Sequence, residues 1–242
     1  MQGLKIVLIG YGKMGHVIEE IAQARGHQIV LTIDRGEEAL FDDLRFASAD
    51  VAIEFTAPAM AFDNCLRAIE RGIPVVSGTT GWTDRQPELR ARCEAGEGTV
   101  FWSSNFSIGV NLFLQINRRV AALMQAAPNY HLSMDETHHI HKLDAPSGTA
   151  ITLAEAILSE RPELKGWELT EEPHTGLLPI TAHREGEVPG IHTVTYTSEV
   201  DRIVLTHEAF GRQGFALGAV LAAEFAHTHQ GWLTMDDMLQ LG

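Results

Sequence analysis

Short apolar runs alternate with amphipathic stretches over the first hundred residues of the chain. The runs have the length of strands buried on both faces, and the apolar positions between them repeat with helical spacing. Strands are predicted at 4–9, 28–33, 49–55, 73–76 and 99–102. Helices are predicted at 14–26, 61–72 and 84–95. Strand–helix alternation with short links predicts an α/β fold, a Rossmann-type doubly wound parallel sheet.

The second half begins with a long predicted helix at 108–127 and then changes to period two, which indicates a strand from residue 130. A helix at 147–159 and strands at 178–183, 191–197 and 202–209 follow, with an irregular loop predicted at 166–176. This pattern predicts a smaller α+β domain with an open mixed sheet. A broad sheet face of this kind needs covering, which favours burial against another subunit.

The last part of the chain is helical again. The helix from residue 214 is expected to pack back on the first domain, and 232–241 is predicted to be a short closing helix. The predicted division is therefore a dinucleotide-binding domain at 1–106, completed by 213–242, and a substrate-binding and oligomerisation domain at 107–212.

Charge and composition limit the kinds of partner that the chain is expected to bind. The 242 residues carry 18 Lys plus Arg against 32 Asp plus Glu, a net charge of −14, which disfavours nucleic acid or an anionic membrane as a partner. The apolar run at 6–9 is too short for a signal peptide or a membrane span. Cys65 and Cys93 show no metal or disulfide spacing and are expected to be core thiols. We expect a cytoplasmic protein.

The first predicted strand leads directly into a G-x-G-x-x-G pattern. Its members are Gly10, Tyr11, Gly12, Lys13, Met14 and Gly15. One glycine permits a tight turn, the second lets the backbone approach a pyrophosphate, and the third lets the helix pack close to the strand. Glycine-rich turns without a ligand are common, but this one stands between a strand and a helix, as a dinucleotide site requires.

Asp34 ends the second predicted strand, 24 positions after Gly10. An acidic residue at about this distance binds the adenosine ribose hydroxyls, although it could also be a simple turn carboxylate. Arg35 follows and could accept a 2′-phosphate. We therefore expect NADH to bind, with NADPH tolerated.

Polar residues follow the next strands, where a parallel sheet binds its ligands. They are Gly78, Thr79, Thr80, Ser103, Ser104, Asn105 and Phe106. Their position would let them contact the nicotinamide half of the cofactor. Helix caps and turns are the alternative interpretation, and it is the stronger one for 78–80 considered alone.

Residues 135–150 read DETHHIHKLDAPSGTA, with three histidines and Lys142 within five positions before a predicted helix start. Histidine donates protons near neutral pH. Lys142 and the N–H groups of Gly148 and Thr149 can hold carboxylates. The segment is thus interpreted as the place where an acidic substrate binds and receives a proton, with His138 as the main candidate donor.

Two other interpretations compete. His138, His139 and His141 could bind a metal, but a strand would place the first two on opposite faces, and Lys142 would repel a cation. No metal is therefore expected. A set of surface histidines is a reasonable interpretation for His141, and a poor one for His138 together with Lys142.

The segment 138–150 closely resembles the signature of the 4-hydroxy-tetrahydrodipicolinate (dihydrodipicolinate) reductase family of lysine biosynthesis. The similarity extends to 10–15, 54–56, 78–80, 104–107 and the Arg184-x-Gly186-x-x-Pro189-Gly190-x-His192 motif. Glu54 stands where an aspartate is common, Ser103-Ser104 replaces a frequent alanine-containing pair, and the link after Asp34 is short.

This resemblance implies residue roles. His138 would be the proton donor or acceptor, Lys142 a second donor, and His139, Gly148 and Thr149 substrate-binding residues. The cofactor would be held by 10–15, Asp34, Arg35, 78–80 and 103–106. The family's assembly, usually a homotetramer formed through the second sheet, would be expected as well.

The expected function is NAD(P)H-dependent reduction of a cyclic dicarboxylate, 4-hydroxy-tetrahydrodipicolinate, to tetrahydrodipicolinate in diaminopimelate and lysine biosynthesis. Hydride would come from NADH or NADPH, and the proton from the region of His138 and Lys142. Two alternatives remain open: an aspartate-type amino-acid dehydrogenase with the same first domain, and a non-catalytic NAD(P)-binding redox sensor.

Overall fold

The computed structural model describes residues 3–170 and 174–241. The chain forms two compact units, Met1–Ile108 with Arg212–Gly242, and Gly109–Gly211. Among the described helices, none combines the length and the apolarity that crossing a bilayer would require.

The first unit is built on a six-stranded parallel sheet with the order β11-β5-β4-β3-β1-β2. Its strands are β1 (Lys5–Ile9), β2 (Gln28–Ile33), β3 (Val51–Glu54), β4 (Val75–Ser77), β5 (Thr99–Trp102) and β11 (Gly231–Leu233). In β1, Val7 and Ile9 pack into the core on one face, and Ile6 and Leu8 into the core on the other. The predicted doubly wound parallel sheet is confirmed.

Helices cover both faces of this sheet. They are α1 (Lys13–Ala24), α2 (Leu44–Ala47), α3 (Pro58–Glu70), α4 (Gln86–Glu94), α7 (Gln213–Ala226) and α8 (Met235–Leu239). One face carries α3 and α4, including the buried Cys65 and Cys93, and the other carries α1 and α7. The packing of α7 on the first unit is as predicted.

Two details of the first unit differ from the sequence prediction. Trp232 does not open the closing helix: Gly231–Leu233 is the outer strand β11, and the helix starts only at Met235, after the Thr234 cap. A three-residue strand is too short to show a period. The link after β2 contains a 3₁₀ turn, Glu38–Asp42, and α2, neither of which was predicted.

The second unit is an open mixed sheet of five strands in the order β10-β9-β6-β8-β7, as predicted. They are β6 (His131–His138), β7 (Trp167–Leu169), β8 (Leu178–Arg184), β9 (Ile191–Thr197) and β10 (Arg202–Glu208). The helices α5 (Ile108–Met124) and α6 (Gly148–Leu158) pack their apolar sides on one sheet face.

Period two in β6 places Met134, Glu136 and His138 on the buried face of the sheet. The predicted irregular loop at 166–176 is wrong in part, because β7 lies within it and pairs with β8. Backbone pairing with an existing strand, which no local pattern reveals, determines this short strand. Residues 171–173 of that segment lie outside the described part of the chain.

Candidate active site

The three glycines of the first turn have different surroundings. Gly10 adopts φ +91°, and a Cβ there would lie 2.1 Å from the Phe55 carbonyl oxygen. A Cβ on Gly15 would lie 2.7 Å from the Gly10 carbonyl oxygen. At Gly12 a Cβ would meet no atom within 4 Å. The first and third glycines are therefore needed for the turn and for close packing, and the second leaves its backbone approachable by a ligand.

This turn forms one wall of a cleft of about 480 Å³. Gly12 is the N-cap residue of α1, and no side chain forms a capping hydrogen bond there. The positive end of the helix dipole is therefore not covered by a capping side chain. Asp34 and Arg35 from the end of β2 line the same cleft. The cleft is also lined by residues that the sequence did not predict to contact the cofactor: Glu38, Phe41, Phe55, Thr56, Ala57, Met60 and Asn64.

Carboxylates occupy three successive backbone N–H groups after β2. The N–H of Asp34 donates to Glu37 Oε2 at 2.9 Å, that of Arg35 to Asp34 Oδ1 at 2.8 Å, and that of Gly36 to Glu38 Oε1 at 3.2 Å. Backbone hydrogen bonds, including the one from Gly36, lower the pKa of Glu38. This rim of the cleft is therefore anionic and has its nearest backbone donors already engaged.

The polar segments after β4 and β5 do not line this cleft. Thr79 is buried, its hydroxyl donates to Glu54, and its carbonyl accepts from the indole N–H groups of Trp82 and Trp102. Phe106 is 2% exposed and packs among core aromatics. The Ser103 hydroxyl bonds the backbone of Asn105. The structure thus places Gly10–Gly12, Asp34 and Arg35 together, and 78–80 with 103–106 at the ends of neighbouring strands.

In the second unit, His138 ends β6 beside a buried carboxylate. Its Nδ1 lies 2.6 Å from Oε2 of Glu136, whose side chain is 0% exposed. The guanidinium of Arg184 lies 3.1 Å from the other carboxylate oxygen, which also accepts from the N–H of Ser147 at 3.0 Å. The carboxylate is therefore held between an imidazole, a guanidinium and a backbone donor.

Burial by itself would raise the pKa of Glu136. The contact with His138, the bond from Ser147 and the charges of His138 and Arg184 outweigh burial and lower this pKa to about 2. Glu136 is thus an anion at neutral pH. An anion against Nδ1 fixes the ring orientation of His138.

Ser147 links this pair to the start of α6. Its hydroxyl accepts from the N–H of Ala150 at 3.1 Å, as a helix cap, and lies 3.1 Å from Nε2 of His192. The ring centroids of His192 and His138 are 5.1 Å apart. Burial, and then the nearby charge of His138, lower the pKa of His192 to about 4, so His192 is uncharged at neutral pH.

The remaining residues of the histidine segment lie on a turn between β6 and α6. Lys142 Nζ lies 2.8 Å from both carboxylate oxygens of Asp144, and this pairing lowers the pKa of Asp144. Arg184 donates to the carbonyls of Lys142 and Asp144 at 3.3 and 2.6 Å, which fixes the turn. His141 is exposed and pairs with Glu187, as expected of a surface histidine.

Glu136, His138 and His192 together have the composition of a metal site. Their contacts fit a hydrogen-bonding group better, since one oxygen of Glu136 already faces Arg184 and the other lies against His138. A guanidinium at this distance opposes a bound cation.

Comparison with known proteins places these features in a family. The dihydrodipicolinate reductase N-terminal model matches residues 4–106, and the C-terminal model matches residues 109–239. The chain belongs to the dihydrodipicolinate reductase family. It is 48% identical to the 4-hydroxy-tetrahydrodipicolinate reductase of Christiangramia forsetii, over 98% of both chains, and 36% identical to that of Archaeoglobus fulgidus, over 95% and 96%.

A solved structure supports the fold. The dipicolinate-bound dihydrodipicolinate reductase of Paenisporosarcina sp. TG-14 superposes with a TM-score of 0.77 at 21% identity, covering 98% of this chain and 99% of that one. Membership in the dihydrodipicolinate reductase family confirms the resemblance found in the sequence. It also confirms the expected activity class, a pyridine-nucleotide-dependent reductase of lysine and diaminopimelate biosynthesis.

Several site residues of this reductase received no role from the sequence: Glu136, Ser147, Arg184, His192, Glu37 and Glu38. Glu136 could have been found, because it lies two positions before His138 on one strand and therefore on the same face. Arg184 and His192 lie in a motif that resembles the family's. Their contacts with Glu136 and Ser147 span 48 and 45 residues of chain, and no local pattern shows such contacts.

Proposed function

We propose that the chain reduces 4-hydroxy-tetrahydrodipicolinate, with NADH bound by the first unit and the proton-donating group at His138 in the second. The observation that carries this proposal is the buried ionised Glu136 against Nδ1 of His138, next to a helix start and a lysine. A bound reduced nicotinamide supplies the hydride. The chain's own residues bind and orient both ligands and deliver the proton.

The first unit fits the cofactor. The approachable backbone at Gly12 and the start of α1 suit a pyrophosphate, and the carboxylate of Asp34 suits the ribose hydroxyls. Lys13, Met14 and Gly15 form the first turn of α1. Residues 78–80 and 103–106 end the neighbouring strands and would complete the nicotinamide side of the site.

We further propose that NADH is preferred to NADPH. A 2′-phosphate brings two negative charges to a rim where Asp34, Glu37 and Glu38 already occupy the backbone donors. Within residues 34–38 Arg35 is the single cation that could offset them. The charges of Arg67 and Arg35 both act on Glu38, but the three carboxylates outnumber these two guanidinium groups, which favours the hydroxyl form of the ribose.

His138 acts in this proposal as the proton donor, and Glu136, with Oε2 2.6 Å from Nδ1, keeps its ring oriented. Lys142 would exchange Asp144 for a substrate carboxylate and serve as a second donor. The positive end of α6 at Gly148 and Thr149, with His139, would hold the other carboxylate. Both carboxylates thus face cationic or dipolar groups in a chain whose net charge is −14.

The test is a turnover assay with the purified full chain. NADH absorbance should fall only when the dihydrodipicolinate precursor is supplied, and the product analogue 2,6-pyridinedicarboxylate should inhibit. If NADH is stable with the precursor but NAD⁺ is reduced when aspartate is supplied instead, the amino-acid dehydrogenase hypothesis is correct. Binding of NADH without turnover of either acid would support the redox sensor.

Assembly and location are also part of the proposal. The outer strand β10 exposes Ile203 and Val204 at 41% and 48% of their surface, which supports a homotetramer formed through the second sheet. Light scattering on the eluted protein should give four times the 26.6 kDa chain mass. We place the reductase in the cytoplasm, which a fluorescent fusion would test.

A further inference from the structure

Glu54 is a buried carboxylate that the proposed reaction does not use. It is the last residue of β3, at the sheet edge where the glycine turn also lies, and it is 0% exposed. Its polar contacts within the described part of the chain are all with neutral groups. Burial raises its pKa, and hydrogen bonds from Ser77, Thr56 and Thr79 oppose that rise.

Four donors from two loops converge on this carboxylate. The Ser77 hydroxyl lies 2.5 Å from Oε2, and the Thr79 hydroxyl lies 2.9 Å from Oε1. The N–H of Thr56 lies 3.0 Å from Oε1, which the Thr56 hydroxyl also contacts. The N–H of Thr56 reaches the Thr79 hydroxyl as well, at 2.8 Å, so the two loops are joined to the carboxylate and to each other.

The same loops contact the glycine turn. Phe55 donates its N–H to the carbonyl of Ile9, and a Cβ on Gly10 would lie 2.1 Å from the Phe55 carbonyl oxygen. A Cβ on Gly78 would lie 2.2 Å from the Phe55 ring. Phe55 and Thr56 line the cleft with Gly10 and Gly12. The backbone around Glu54 therefore sets the shape of the wall that would face a dinucleotide.

A buried, hydrogen-bonded carboxylate of this kind is a poor means of gaining stability, because apolar groups of the same shape can be as good or better. What a satisfied polar network provides is one fixed arrangement of its members. We infer that Glu54 is a positioning residue for the nicotinamide cofactor, holding the 55–57 and 78–80 loops in the arrangement that binds it. This inference rests on the proposed function and adds a residue to it.

The test is NADH binding by the full chain, followed by tryptophan fluorescence, for which Trp82 and Trp102 lie against the Thr79 carbonyl. In Glu54→Gln one acceptor oxygen becomes an amide nitrogen that cannot accept, so donors lose their partner. The dissociation constant for NADH should rise about tenfold or more, whereas kcat at saturating NADH should change little. Ser77→Ala removes one donor and should give a smaller rise in the same direction.

Glu224→Gln is the matched control. Glu224 is also a hydrogen-bonded carboxylate of the first unit, paired with Arg25 and His27, but beside the start of β2. It should lower the melting temperature without changing the NADH dissociation constant. If Glu54→Gln and Ser77→Ala lower the melting temperature yet bind NADH as the unaltered chain does, Glu54 is merely structural and the inference is overturned.

Folding failure and failure of the proposed function give different results. If Glu54→Gln does not fold, Ser77→Ala decides the question by the same measurement. If the unaltered chain binds neither NADH nor NADPH, the proposed function itself is wrong, and the inference fails with it.

Discussion

Glu54 and Glu136 are both fully buried glutamates near strand ends, one in each unit, and their surroundings differ in one respect. Neutral hydroxyl and amide groups surround Glu54, and its pKa is raised. An imidazole and a guanidinium flank Glu136, and its pKa is lowered to about 2. Burial acts to raise the pKa of both carboxylates, and the contacts of Glu136 with its charged partners reverse the direction there.

The difference between neutral and charged partners also gives the two glutamates different roles. A carboxylate among neutral donors can only fix the positions of those donors. A carboxylate against an imidazole nitrogen in addition fixes the ring of a candidate proton donor, and so affects a proton transfer. We expect changes at Glu54 to alter cofactor affinity and changes at the Glu136 group to alter turnover.

Replacing the proton donor should have the largest effect. His138→Gln should lower kcat by about 10²–10⁴-fold, because a glutamine cannot donate the proton, with little change in NADH affinity. Steady-state kinetics and NADH titration measure the two effects. His141→Gln, at an exposed neighbour, is the control and should retain turnover; equal losses in both variants would refute the role of His138.

Glu136→Gln should have the next largest effect. Without the carboxylate, the ring of His138 loses its fixed orientation, and kcat should fall by roughly 10–100-fold. NADH affinity should stay as it is, the reverse of the result expected for Glu54→Gln. If both glutamine variants lose affinity and turnover in the same proportion, the proposed separation of tasks is wrong.

The buried His192 should make the fold sensitive to acid. Its pKa is about 4 in the folded chain against an ordinary 6.5, so between these pH values the unfolded chain binds a proton that the folded chain does not. The free energy of unfolding should fall by about 3 kcal/mol as pH drops through this window. Denaturant unfolding at several pH values should show this slope reduced in His192→Gln.

The pH range in which Glu136 affects stability lies below that of His192, and it provides an internal check. A carboxylate whose pKa is lowered from 4.5 to about 2 contributes stability above the higher value and loses it as pH falls toward the lower one. His192→Gln should therefore leave the decline below pH ~4 in place. An unchanged slope at higher pH would show that the pKa of His192 is not lowered in the folded chain.

The preference between NADH and NADPH should show the smallest change among these variants. Glu38→Gln removes one of three carboxylates near the 2′ position, and exposed charges are screened. The ratio of kcat/KM for NADPH to that for NADH should rise about two- to fivefold. Glu88→Gln, an exposed glutamate on α4, is the control and should leave the ratio unaltered.

Features carried by local pattern were predictable from the sequence. The strands β1 to β5 and their helices follow from continuous apolar runs and helical spacing, and the alternation in β6 follows from period two. The three-residue strands β7 and β11 do not, because their pairing with distant strands is what makes them strands. Asp34 was identified from its distance to the glycine turn.

The sequence predicted those site residues whose reactive side chains lie close together along the chain. His138 and Lys142 are conspicuous because titratable side chains crowd beside a helix start. Glu136 lies in the same stretch, but the sequence gives it no role. A carboxylate among histidines is typical of an exposed surface, and only the structure shows that it is buried. Arg184 acts on residues about 40 positions earlier, which no spacing reveals.

The convergence of two chain segments on Glu54, one at Thr56 and one at Ser77 and Thr79, has an evolutionary consequence. An aspartate at this position would be one methylene short of the hydroxyls that now meet it, so positions 56, 77 and 79 would have to shift or change with it. We expect these four positions to vary as a set among homologues, each combination of acid and hydroxyls defining its own subgroup, rather than drifting one at a time.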